Sequence, residues 1–377
     1  MKIADRVQQV PPSGIRRFFE LAEEKEEVIS LGVGEPDFSA PWAARTAAID
    51  SLERGKTSYT ANKGMRNLRV SIADYVQQWG LDYDPDEEIL VTAGASEAVD
   101  LAMRAFVDPG DTVAVQEPTY ISYVPGIQFA GGEPIRVPTT PETEFQLTYD
   151  ALRDAGAAEA EALVICYPNN PTGATIDDAH LREVAEFARD HDLTVLSDEI
   201  YAALTYDGDH TSIATLPGMR ERTVVFNGFS KAYAMTGLRL GFALAPPEAT
   251  QAMNRIHQYT MLSAPTTAQY AALEALRSCD DDVVEMRTQF DRRRRYVLSR
   301  FREMGMDCFE AKGAFYVFPE CGGDDEQFAE DLLESQDVAV VPGSVFGDGG
   351  AGHLRVSYAS GMAELKEAMN RIEAFVE

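Results

Sequence analysis

Between residues 88 and 245, short apolar runs alternate with stretches of helical pattern. The runs are Ile-Leu-Val-Thr at 89–92, Thr-Val-Ala-Val-Gln at 112–116, Ala-Leu-Val-Ile-Cys-Tyr at 162–167, Leu-Thr-Val-Leu-Ser at 193–197 and Thr-Val-Val-Phe at 223–226. Each is too short for a helix and nearly continuous in apolar residues, so each reads as a strand covered on both faces. Strands and helices in this alternation build a mostly parallel sheet with helices on both sides. The fold class is therefore α/β. Open sheets of this kind place ligands beyond the carboxyl ends of their strands.

The pattern changes after the helical stretches 247–277 and 280–304. Short strands at 313–319, 338–341 and 353–358, with helices between them, predict a smaller α+β domain. The N-terminal segment is expected to join it. There, turn signals lead into a short amphipathic helix near residues 10–22, and a strand at 28–34 runs into the loop Glu35-Pro-Asp-Phe. We expect a large domain over 47–285 and a small one from 1–46 with 286–377. The 377 residues are enough for two sizeable cores.

Charge narrows the function classes. There are 62 acidic residues against 33 basic ones, a formal net charge of −29. Such a surface repels nucleic acid and anionic membrane. Acid enrichment with scarce lysine also keeps a protein soluble in concentrated salt, where screening removes self-repulsion, so a halophilic source is expected. Cys166, Cys279, Cys308 and Cys321 show no CxxC spacing and the five histidines no metal-ligand spacing, so no metal is expected. With no apolar leader and no membrane-length run, a cytoplasmic protein is expected.

Lys231 stands out against this background, as no other lysine occurs between Lys63 and Lys312. It follows the buried run at 223–226, in what reads as a Gly- and Ser-rich loop. Either it is an ordinary surface lysine, or it is partly desolvated and usable as an amine nucleophile. Ser230 adjoins it and Arg239 follows eight residues on. A hydroxyl and a guanidinium near an amine suit a ligand with both a carbonyl and a phosphate. Gly94-Ala95-Ser96, between a strand and a helix, offers free N–H groups to an anion, a common feature of α/β proteins. Asp198 closes a strand as a helix cap or a functional charge. Tyr120 is a core tyrosine or a stacking platform, and Tyr59 a surface residue unless something recruits it.

The segment Ser230-Lys-Ala-Tyr-Ala-Met-Thr-Gly-Leu-Arg239 resembles the Schiff-base lysine segment of class I aminotransferases, the fold type I pyridoxal-phosphate enzymes. Leu238 departs from the Trp of many relatives. Asn170-Pro-Thr-Gly, Asp198 with Tyr201, and a late Arg355 occur in that family's order and spacing, so the resemblance covers nearly the whole chain. It is nearest to the archaeal aromatic and aspartate members.

The resemblance implies pyridoxal 5'-phosphate as cofactor, with Lys231, Asp198 and Tyr201 as the catalytic residues. Lys231 would hold the aldehyde and later move the substrate Cα proton. Asp198 would pair with the pyridine nitrogen, and Tyr201 and Asn170 with the ring hydroxyl oxygen. Tyr120 would stack on the ring. Arg239, Ser230, the amides at Ala95 and Ser96, and Tyr59 from the second subunit of a homodimer would hold the phosphate. Arg355, Gly34 and Asn170 would grip the substrate carboxylate. The implied reaction moves an amino group from an L-amino acid to a 2-oxo acid, with 2-oxoglutarate the usual acceptor. A β-lyase or synthase of the same fold, or a non-catalytic cofactor-binding protein, are the alternatives. Where the aspartate-specific branch carries a distal-carboxylate arginine, this chain has Tyr259. With Phe315 and Ile15 as further apolar walls, that favours aromatic donors.

Overall fold

The computed structural model describes residues 2–15 and 28–377. The helix expected near residues 10–22 therefore falls largely outside the described residues.

The strands are β1 (Ile29–Ser30), β2 (Ile89–Thr92), β3 (Thr112–Glu117), β4 (Glu133–Pro138), β5 (Ala162–Cys166), β6 (Thr194–Asp198), β7 (Thr223–Gly228), β8 (Gly241–Leu244), β9 (Tyr316–Val317), β10 (Val338–Ala339), β11 (Val341–Pro342) and β12 (Leu354–Ser357). Seven of them form the central sheet in the order β2-β8-β7-β6-β5-β3-β4. All are parallel except β8, which runs antiparallel to both its neighbours. Every apolar run between 88 and 227 became one of these strands. The edge strand β4 was not anticipated: its two prolines and mostly uncovered side chains hide the period of a buried strand.

Alternate residues of the inner strands enter different cores, as the period of two requires. Leu163 and Ile165 of β5 pack with Leu181, Val184 and Phe187 of helix Asp178–Asp190. Val164 and Cys166 pack on the other face with Ala98, Leu101 and Ala102 of helix Ala95–Phe106. The stretch expected as one helix over 247–277 is two, Pro247–Thr260 and Thr266–Ser278. The first ends where Leu262 takes the left-handed conformation (φ 67°), and Pro265 stands at the N-cap of the second.

A second, smaller assembly holds the antiparallel sheet β11-β12-β9. Its core joins Val317, Leu354 and Val356 to Phe290, Val297 and Phe301 of helix Asp280–Glu303, and to Leu365 and Ile372 of helix Met362–Val376. The expected strand at 28–34 is only β1, paired in parallel with β10 through Ile29 and Val338. The N-terminal segment is thereby tied to the C-terminal part of the chain.

Topology brings the functional segments together. The carboxyl ends of β2, β3, β5, β6 and β7 share one edge of the sheet, so the turns after them converge. Because β8 is antiparallel, it starts at that same edge, and the residues just before it, including Arg239, arrive there as well.

Candidate active site

A cavity of about 1210 Å³ opens at this edge. Its lining includes Gly34, Ala95, Ser96, Tyr120, Asn170, Asp198, Tyr201, Ser230, Lys231, Arg239 and Arg355. Of the cofactor- and carboxylate-binding residues read from the sequence, Tyr59 alone is not brought there. It lies 79% exposed on the surface of its own chain.

Lys231 sits in a short helical turn, Phe229–Ala232, rather than in the expected loop. Gly228 ends β7 and the next four residues coil at once, which holds the lysine on a defined backbone. Its Nζ donates to the Gly34 carbonyl at 2.6 Å and lies 5.8 Å from the centre of the Tyr201 ring. Burial pushes the amine down to about 8, against Glu35, which favours the charged form; Arg355 and Arg239 lower it further. An amine in that range is half free base at about pH 8, far more than an ordinary lysine, which suits a lysine nucleophile.

Asp198 ends β6 and is buried. It accepts from the Tyr123 hydroxyl at 2.6 Å and from Ile200 N at 3.1 Å. Burial pushes its carboxyl up to about 6, although both hydrogen bonds favour ionisation. Both donors are neutral, so the buried carboxylate lacks a hydrogen-bonded cation among the described residues.

Arg355 is buried between two aromatic rings, 4.7 Å from the centre of Tyr316 and 4.9 Å from that of Phe346. One of its terminal nitrogens donates to Asn170 Oδ1 at 3.0 Å and the other to the Gly32 carbonyl. Its Nε–H is buried without a partner. Burial lowers its pKa from the ordinary guanidinium value. A guanidinium packed against two aromatic rings, with a donor left over, is prepared for a carboxylate.

Tyr316 does more than flank the arginine. Its hydroxyl pairs with that of Tyr201 at 3.0 Å and presses against Gly34, where any Cβ would collide with it. At the phosphate end, Gly94 has φ +88°, and an added Cβ would lie 2.8 Å from the Arg239 guanidinium. Only glycine fits both the conformation and the approach.

Three site residues were missed in the sequence. Tyr123 lies three residues after Tyr120, and helical spacing was the available signal. Tyr316 was passed over for its neighbour Phe315. In β9, Tyr316 stands opposite Ser357 of β12, two residues from Arg355 and so on its face. Phe315 is fully buried and packs edge-on against Tyr201, with its ring centre 5.5 Å from Lys231 Nζ; it is not a wall of the cavity. Tyr259, expected where a partner-subunit arginine would stand, is 85% exposed on its own chain. Ile15 does line the cavity. Arg136, which also lines it, was the third residue missed.

A lysine amine with a depressed pKa, a buried carboxylate wanting a cation, and a stacked arginine with a spare donor define a pyridoxal-phosphate enzyme acting on a carboxylate substrate. The residues fit that cofactor: its protonated ring nitrogen is the cation that Asp198 lacks. Residues 26–372 match the family model of aminotransferases class I and II, and the chain belongs to that family. It is 51% identical to YugH of Bacillus subtilis (strain 168), over 99% of this chain and 98% of that one. It is 43% identical to an aspartate aminotransferase of Pyrococcus abyssi, over 99% and 98% of the two chains. The crystal structure of an aromatic aminotransferase from Pyrococcus horikoshii OT3 superposes with TM-score 0.90 and 43% identity, covering 95% of this chain and 98% of that one. The protein is a pyridoxal-phosphate-dependent aminotransferase of the fold type I architecture.

Proposed function

We propose that this aminotransferase takes an aromatic L-amino acid as its preferred donor and 2-oxoglutarate as its acceptor. Relatives of equal identity are named for aspartate and for aromatic amino acids, so likeness alone does not choose. The charge of the cavity supports the aromatic reading. Among the described residues its lining cations are Lys231, Arg239, Arg355 and Arg136. The first three have the aldehyde, the phosphate and the α-carboxylate to serve. The fourth is held by Glu117 at 2.6 Å, a carboxylate that also accepts from Asp348 N. Glu35 adds a further negative charge. A short acidic side chain meets no free cation among the described residues there, whereas Ile15, Tyr120 and Phe346 offer apolar surface. The distal carboxylate of 2-oxoglutarate would have to draw Arg136 away from Glu117.

The bound cofactor acts as an electron sink for the bond broken at the substrate Cα. The chain does the rest. Lys231 carries the aldehyde at rest and moves the Cα proton. Asp198 keeps the ring nitrogen protonated, and Tyr123 holds Asp198 ionised. Tyr201 and Asn170 bond the ring oxygen, and Tyr120 lies against the ring. Ser230, Arg239 and the Ala95 and Ser96 amides hold the phosphate. Arg355, with Asn170 and Gly34, fixes the α-carboxylate and so the direction of the Cα–H bond.

The working unit in this reading is a homodimer of two-domain subunits, the large domain spanning 47–285 and the small one 1–46 with 286–377. The exposed large apolar side chains of Trp42, Ile49, Tyr59, Tyr259 and Met261 support it, since such residues are candidates for an association face. Tyr59 then reaches the phosphate of the partner subunit. The setting is the cytoplasm of a cell rich in salt. No helix among the described residues is long and apolar enough to cross a membrane.

The test is kcat/KM for phenylalanine, tyrosine and aspartate with 2-oxoglutarate as acceptor. Either aromatic donor should exceed aspartate. Aspartate faster than both overturns the assignment.

A further inference from the structure

Behind the proposed phosphate cradle lies a pair of a partly buried carboxylate and a fully buried imidazole that the reaction does not use. Glu97 is the third residue of helix Ala95–Phe106, whose N-terminal Gly94 supplies no side-chain cap. One Glu97 oxygen accepts from Ala93 N at 2.5 Å; the other faces His257 Nδ1 at 2.7 Å. His257 belongs to helix Pro247–Thr260 and is fully buried. An ionised carboxylate only accepts, so the facing ring nitrogen carries the proton. His257 Nε2 is buried with no partner, a cost tolerated only where the ring is needed in place.

The pair reaches in two directions. Through Ala93 it grips the turn whose next residues, Gly94 to Ser96, meet Arg239 and line the cavity. Through the His257 carbonyl, which accepts from Met261 N at 2.9 Å and Leu262 N at 3.0 Å, it joins the turn after the helix. The Leu262 carbonyl in turn accepts from Asn62 Nδ2 at 2.6 Å, and Thr266 Oγ1 donates to the Ser58 carbonyl at 2.8 Å. Tyr59 sits between those two anchors. A carboxylate this close to a bound phosphate would repel it if free. Both its oxygens are engaged away from the cavity, and it does not line the cavity.

We propose that Glu97 and His257 are positioning residues for the cofactor phosphate. They hold the Ala93–Ser96 turn in its anion-binding form and tie it to the loop that carries Tyr59. The inference rests on the assignment of that turn and Arg239 to the phosphate.

The test compares pyridoxal 5'-phosphate with pyridoxal, which lacks the phosphate, by absorbance titration of the cofactor-free full-length chain. Glu97→Gln leaves one acceptor for two donors, and His257→Gln removes the imidazole from the other side. Each should weaken binding of the phosphorylated aldehyde by roughly tenfold or more, the scale of one lost hydrogen bond to a charged group. Binding of pyridoxal should change less than twofold. Equal losses for both aldehydes would mean a general structural role and overturn the proposal, as would unchanged binding of both. Arg239→Ala serves as control. If it leaves the preference for the phosphorylated aldehyde intact, the phosphate assignment itself is wrong. If it abolishes the preference while Glu97→Gln and His257→Gln retain it, only the positioning proposal fails. His257→Asn, smaller and still polar, replaces any variant whose thermal melt shows it unfolded.

Discussion

The Tyr123 hydroxyl donates to Asp198 Oδ2 at 2.6 Å, with both residues buried at the floor of the cavity. That bond pulls the Asp198 pKa down while desolvation pulls it up. Tyr123 thus decides how far into acid the carboxylate stays charged.

Tyr123→Phe should move the acid limb of the kcat profile to higher pH. The sign follows from the bond: it favours the ionised carboxylate, and its loss leaves burial less opposed. At low pH kcat should fall by roughly tenfold, for a charge-assisted bond of about 1.5–3 kcal/mol. An acid limb that stays in place would show that the hydroxyl does not tune Asp198.

Lys231→Ala should still bind the cofactor but lose at least about 10²–10⁴ in turnover, the scale of general acid–base catalysis alone. In the native chain the cofactor-free amine is held down to about 8. A depressed lysine is neutral above its pKa, so uptake of the aldehyde should accelerate as pH rises through 8 and then level off. Stopped-flow absorbance reads this directly. A midpoint at the ordinary lysine value would contradict the desolvated site.

Arg355→Lys should raise KM for donor and acceptor alike by about 10–100-fold with a smaller change in kcat. An ammonium cannot stack between Tyr316 and Phe346 while donating to Asn170, Gly32 and a carboxylate at once. Steady-state kinetics with both substrates varied would show it. A KM shift for only one of the two would mean that they do not share the arginine.

Tyr59→Ala should weaken cofactor binding by removing a contact between subunits. Mixing it with Lys231→Ala should regenerate activity, because one hybrid site then has an intact lysine and an intact tyrosine. No recovery in dimers shown to exchange subunits would place Tyr59 outside the site.

The excess of acids predicts a melting temperature that climbs from dilute buffer into molar KCl. At about 1 M the screening length is only about 3 Å, and repulsion among exposed carboxylates such as Asp280, Asp281 and Asp282 fades. A flat or falling curve would argue against adaptation to salt.

Much of this could be read from the chain. Runs such as 89–92 and 223–226 were legible as buried strands because a strand covered on both faces is apolar along its whole length. That property belongs to each segment alone. Lys231, Asp198 and Asn170 were legible because they follow strand ends, and strand ends in a parallel sheet meet at one edge; Arg355, inside β12 of the smaller antiparallel sheet, was legible only through the family resemblance. What the sequence could not give depends on partners distant along the chain. Tyr316 faces the cavity and Phe315 the core because Tyr316 stands opposite Ser357, and a shift of one residue would exchange them. Whether Arg136 is a free cation depends on Glu117, which reaches it only when β3 and β4 lie side by side. Local composition determined the fold class and the reacting lysine. Register and long-range pairing, which no single segment contains, decided which side chains surround it and with what charge.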